Sequence, residues 1–106
     1  MNACTTFEDL SATDAPRAIK WDFDVSTSPL RCMQIKVGQK VRWTADGANV
    51  TADFVTHPLD AQGGDTPNPI ADVDEASGEV TFPTAGIFGF ACGIHPAMTG
   101  AIKVVD

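Results

Sequence analysis

The sequence is poor in bases, in histidine and in long apolar runs, and each shortage removes a class of function. Only seven Lys and Arg stand against 14 Asp and Glu in 106 residues, for a formal net charge of −7. A nucleic-acid binder needs clustered cations to neutralise phosphates, so no nucleic-acid partner is expected. An acidic surface suits a protein partner with a basic docking face; it also keeps a small protein soluble and monomeric, and a monomer is expected. No stretch approaches the roughly 18 apolar residues that a membrane span requires. No basic segment followed by an apolar one opens the chain, so an exported protein would already have shed its leader. Cys-x-x-Cys-His is absent, which excludes covalent haem attachment.

What remains is the composition of a folded domain: 43% hydrophobic and 20% charged residues. The length suits one core, so residues 1–106 are read as a single domain. Apolar residues recur with a period of two, and no helical period is sustained. Ile19, Trp21, Phe23 and Val25 alternate with polar residues and predict a half-buried strand over 19–26. Met33, Ile35 and Val37 predict a second strand, Gly38-Gln39 a turn, and Val41 and Trp43 a third strand. Val80 and Phe82 face inward, Pro83-Thr84-Ala85-Gly86 turns, Phe88, Phe90 and Cys92 share a face, and Ile102 and Val104 close the core. Residues 60–79, rich in Gly, Pro and acids, are expected to form a long surface loop with one short helical turn. Short strands between Gly, Pro and Asp turns indicate an all-β fold, an antiparallel sandwich or barrel.

Three cysteines make an odd number, and their surroundings differ. The economical division is a Cys4–Cys32 disulfide and one functional thiolate, Cys92. Two unlinked thiols remain an alternative, as does a lipid-modified Cys4, although Met-Asn-Ala before it is a poor lipidation signal. A disulfide would place the protein in an oxidising compartment.

The chemistry concentrates in Cys92-Gly93-Ile94-His95-Pro96-Ala97-Met98, where thiolate, imidazole and thioether recur at three-residue spacing. Strand parity turns the Cys92 sulfur toward the core, and Gly93 and Pro96 favour a turn that returns His95 and Met98 over it. The only other histidine, His57, follows Asp53-Phe54-Val55-Thr56, a further expected strand. His, Cys and His with a distant Met are the donors of a trigonal blue-copper site. Zinc fits less well, because structural zinc sites favour close pairs such as Cys-x-x-Cys and a thioether is a poor zinc donor. Against metal altogether stand a plain loop histidine, a buried thiol and a core methionine. Met33, Trp21 and Trp43 read as core only.

The region resembles the cupredoxin family. Val37-Gly38-Gln39-Lys40-Val41-Arg42-Trp43, Thr56-His57-Pro58-Leu59, Phe82 through Cys92, and Gly100-Ala101-Ile102-Lys103-Val104 resemble the family's strands, and together they span most of residues 31–106. The Cys-x-x-His-Pro-x-Met loop is similar to those of amicyanins and pseudoazurins. The resemblance implies a Greek-key β-sandwich, one type 1 copper on His57, Cys92, His95 and Met98, and single-electron transfer between redox partners in the periplasm or another exported location. It implies His95 as the electron's port, ringed by Ile94, Pro96, Ala97, Pro58 and Leu59. Two histidines cannot also supply the second copper of an oxidase or a nitrite reductase, so no enzyme activity is expected. Pro58 departs from the family, which usually has Asn after the first His; the N-terminal thirty residues and the 60–79 segment lie outside the match. The competing function is a periplasmic copper carrier or buffer, and the chain could also be a domain of a longer electron-transfer protein.

Overall fold

The computed structural model describes residues 1–106 as two facing β-sheets. In chain order the strands are β1 (Glu8–Asp9), β2 (Ala18–Lys20), β3 (Cys32–Lys36), β4 (Lys40–Thr44), β5 (Leu59–Gly64), β6 (Glu79–Thr81), β7 (Gly86–Cys92) and β8 (Thr99–Val105). One sheet runs β1-β3-β8-β7-β5 and the other β2-β4-β6. No helix is long and apolar enough to cross a membrane.

The all-β expectation holds, but the strand pairing is mixed. Antiparallel ladders join β7 to β8, β5 to β7 and β4 to β6, while β1–β3, β3–β8 and β2–β4 are parallel. The reason lies in the connections. The tight turn at Gly38 (φ 88°) carries the chain from β3 in one sheet to β4 in the other rather than folding it into a hairpin. Strands consecutive in sequence but placed in different sheets must find neighbours elsewhere along the chain, and parallel pairs result.

Three further expectations are corrected. The strand foreseen over 19–26 stops at Lys20. Asp22 then caps a 3-10 helix at Phe23–Thr27, its carboxylate accepting from the Asp24 N–H at 2.9 Å. Residues 53–56 form a turn, not a strand. The expected 60–79 loop contributes most of edge strand β5, whose residues after Leu59 are exposed; the short helical turn expected within it is there, a 3-10 helix at Pro69–Asp72 that buries Ile70. An exposed edge strand carries no period-two burial, so its sequence looks like a loop. A bulge between Ala61 and Gly64 bends it, and Gly64 (φ +86°) lies so close to β7 that a Cβ would strike the Ile87 carbonyl.

The core is a cluster of 19 buried residues between the sheets, centred on aromatic edges. Phe90 of β7 meets Trp21 at 5.6 Å and Trp43 at 5.2 Å between ring centroids, both edge-on. The outer face of the larger sheet is covered as well. There Cys4, Cys32 and Ala101 form a second small cluster, and the Asn2 side chain donates to the carbonyls of Gln62 (2.8 Å) and Gly100 (3.0 Å). The small residues Gly89, Ala91 and Ala101 make that face shallow enough for the N-terminal segment to lie against it.

That segment is tied down by the Cys4–Cys32 disulfide, which links residues 28 apart in sequence. A loop of that length restricts the unfolded chain by roughly 3–4 kcal/mol in the chain-entropy account. The double substitution Cys4→Ser/Cys32→Ser is expected to lower unfolding free energy by about that amount in urea titration; an unchanged midpoint would show that the bridge adds nothing.

Candidate metal centre

His57 is placed by a turn that Asp53 organises. The Asp53 carboxylate accepts from the N–H groups of Val55 (3.1 Å) and Thr56 (3.2 Å) and from the Thr56 hydroxyl (2.7 Å). Those bonds, the hydroxyl's first, hold the Asp53 carboxyl below its ordinary range, with a smaller contribution from the charge of His57. Phe54 turns inward and Val55 is 90% exposed. The His57 N–H then donates to the Asp53 carbonyl at 2.9 Å, and the His57 carbonyl accepts from the buried Trp21 indole N–H at 2.8 Å. The backbone of His57 is therefore held at both its donor and its acceptor. Trp21 does more than fill the core, the only role its sequence position suggested.

Cys92 ends β7, where the ladder sets it opposite Leu59, two residues past His57. The pairing of β5 with β7 thus delivers the His57 turn beside the cysteine. Beyond it the loop closes on itself: the Cys92 N–H donates to the Met98 carbonyl (2.8 Å) and the Met98 N–H to the His95 carbonyl (2.9 Å). The Gly93 N–H reaches the Pro58 carbonyl at 3.2 Å and ties the two loops together. Gly93 also packs so near the Asp60 carboxylate that a Cβ there would displace it.

The result is a convergence of His57, Cys92 and His95, with one donor atom from each lying within 4.8 Å of the other two. The Cys92 sulfur and His95 Nδ1 are 3.7 Å apart. Three donors at ordinary nitrogen and sulfur bond lengths, spread trigonally around one ion, would sit about 3.5–4 Å from one another, so a small closure seats a metal. Two further observations fit a metal-binding role. His57 Nδ1 is buried and has no hydrogen-bond partner, a state that native proteins seldom tolerate. Cys92 is a free thiol, 3% exposed, with no protein donor but His95 near its sulfur. Met98 joins the same buried core cluster as Cys92 and is bound to both Cys92 and His95 through its backbone.

On the solvent side Phe23 (61% exposed) stands against the two imidazoles, and Ile94 (58% exposed) and Val55, near His95 and His57 in the chain, are exposed as well. Pro96 and Ala97 are exposed, as expected, whereas Leu59 turns into the core. Phe23 was expected inside, in step with Trp21 and Val25. Its ring instead stands edge-on to His57 (5.1 Å) and to His95 (4.5 Å). The Asp22-x-Asp24 capping pattern was the available sign that the strand had ended before it.

No family model, curated protein or solved structure matches the chain. The site therefore rests on its own geometry: a His-Cys-His group, buried on one side and apolar on the other, able to hold a metal ion.

Trp21→Phe keeps most of the core volume but leaves the His57 carbonyl without its donor. It is expected to cost about 1–3 kcal/mol in chemical denaturation and to weaken metal retention by on the order of tenfold; wild-type stability and retention together would show that the indole bond has no part in placing His57.

Proposed function

We propose that the chain is a type 1 copper protein of the cupredoxin kind, holding one ion through His57, Cys92, His95 and Met98 and passing single electrons between partner proteins. The observation that carries this is the meeting of two imidazoles and one buried thiol, from separate loops, with a donor nitrogen of His57 left unpaired. The donor set argues for copper over zinc or magnesium: thiolate and thioether suit Cu(I), and imidazole suits both oxidation states. Copper bound there supplies a one-electron couple. The chain supplies a site that changes little between the two states, since His57 is fixed through its backbone at both ends and the Cys92–Met98 loop is closed by its own hydrogen bonds.

Burial favours an electron carrier over a copper carrier. A protein that hands copper on presents accessible ligands, whereas Cys92 and Met98 are 3% and 1% exposed. With two histidines, both used, none remains for the second copper of an oxidase or a nitrite reductase, so the proposed role includes no catalysis of that kind. The exposed Val55, Ile94 and Phe23 offer a contact face through which a partner approaches the imidazoles. Only two ion pairs form, Lys20–Asp22 (3.5 Å) and Lys40–Glu79 (3.7 Å), so most carboxylates remain free to attract a basic partner. The disulfide agrees with an exported, oxidising location such as the periplasm.

Titration with Cu(II) is expected to saturate at one equivalent and to produce an intense visible thiolate-to-copper band, bleached by ascorbate and abolished in Cys92→Ser. A colourless complex, or a band that survives loss of the thiol, contradicts the assignment.

Pro58 has no N–H to offer the sulfur, whose one hydrogen-bonding contact is His95 Nδ1. A thiolate lacking a donor favours Cu(II), so Pro58→Asn is expected to raise the reduction potential measured by voltammetry. A potential that stays the same or falls refutes this role for the proline.

A further inference from the structure

The segment Trp21–Val25 lies outside the strands that build the metal centre, yet it touches both imidazoles. Val25 is buried and Asp22 caps the 3-10 helix, so Phe23 is presented outward from a fixed base. Its ring meets His57 at 88° and 5.1 Å and His95 at 74° and 4.5 Å, while the two imidazoles themselves are 5.5 Å apart. A single side chain thus bridges the two rings from the solvent side. Phe23 nevertheless remains 61% exposed, and a large exposed aromatic contributes little to a core. Its aromatic contacts are with the two histidines, and an edge-on pair restricts the tilt of both partners.

We propose that Phe23 is a positioning residue and a cover for the metal centre: it holds the His57 and His95 rings in a common arrangement and keeps small exogenous ligands and chelators from the ion. This rests on the metal-binding role proposed above. Two consequences separate it from simple packing. Removing the ring should change access to the centre more than it changes the stability of the fold. An aromatic replacement should restore what an aliphatic or small one does not.

The test compares wild type with Phe23→Ala, Phe23→Leu and Phe23→Tyr. Each is loaded with Cu(II), and the rate of copper removal by excess EDTA is followed, together with the change in the visible spectrum on adding azide. Phe23→Ala is expected to lose copper faster by on the order of tenfold and to bind azide at concentrations that leave wild type unaltered. Phe23→Tyr should return both readouts close to wild type, with Phe23→Leu between. A second arm needs no metal: carbethoxylation of the two histidines in the metal-free protein should be faster in Phe23→Ala and restored in Phe23→Tyr. The thermal midpoint of the metal-free protein should be the same in all four.

Equal extraction, azide and carbethoxylation behaviour in Phe23→Ala and wild type overturns the proposal. So does a fall in thermal midpoint that tracks the faster extraction, or a failure of Phe23→Tyr to rescue. Wild type that takes up no copper overturns the metal role instead, and the carbethoxylation arm then still reports whether Phe23 covers the imidazoles.

Discussion

The antiparallel ladder between β5 and β7, with Leu59 opposite Cys92, is the constraint on which the centre depends. One histidine and the cysteine come from distant parts of the chain, and only this register brings the His57 turn beside the end of β7. Slipping the pairing by a single residue would move each side chain to the other face of the sheet and separate the donors. The register is secured at both ends. Toward the centre, Gly93 donates to the Pro58 carbonyl; away from it, Gly64 and its bulge fit against Ile87 at a distance that no side chain permits. Edge strand β5 has little burial of its own, so these local fits take the place of a core in fixing where it lies.

Much of this was legible in the sequence. Period-two alternation found the inward residues of β3, β4, β6, β7 and β8, because those strands bury one face against a shared core. The spacing of Cys92, His95 and Met98 on a Gly- and Pro-containing loop marked the site, and the scarcity of histidine pointed to His57. The mixed pairing was not legible: alternation reports which face is buried and carries nothing about the neighbour in the sheet. Two strand assignments failed for related reasons. At Phe23 an apolar residue kept the period while the Asp22 cap broke the backbone, and at 53–56 the apolar Phe54 and Val55 concealed a turn built on the Asp53 carboxylate. In β5 the opposite happened, since an exposed edge rich in Gly and polar residues reads as a loop.

The N-terminal thirty residues precede the strands that carry the centre, yet they do three jobs around them. The disulfide and Asn2 fasten them over the outer face of the larger sheet. Trp21 supplies the hydrogen bond that holds the His57 carbonyl, and Phe23 places its ring against both imidazoles. A short segment thus reaches the centre twice, once through the backbone of His57 and once through the two imidazole rings.

X-ray absorption at the copper edge, on protein loaded with one equivalent, tests the central claim most directly. One short sulfur scatterer and two imidazole nitrogens are expected, with the sulfur lost in Cys92→Ser and one imidazole lost in His57→Ala. A first shell of nitrogen and oxygen alone, or one unchanged when His57 is removed, would show that these side chains do not meet on a single ion.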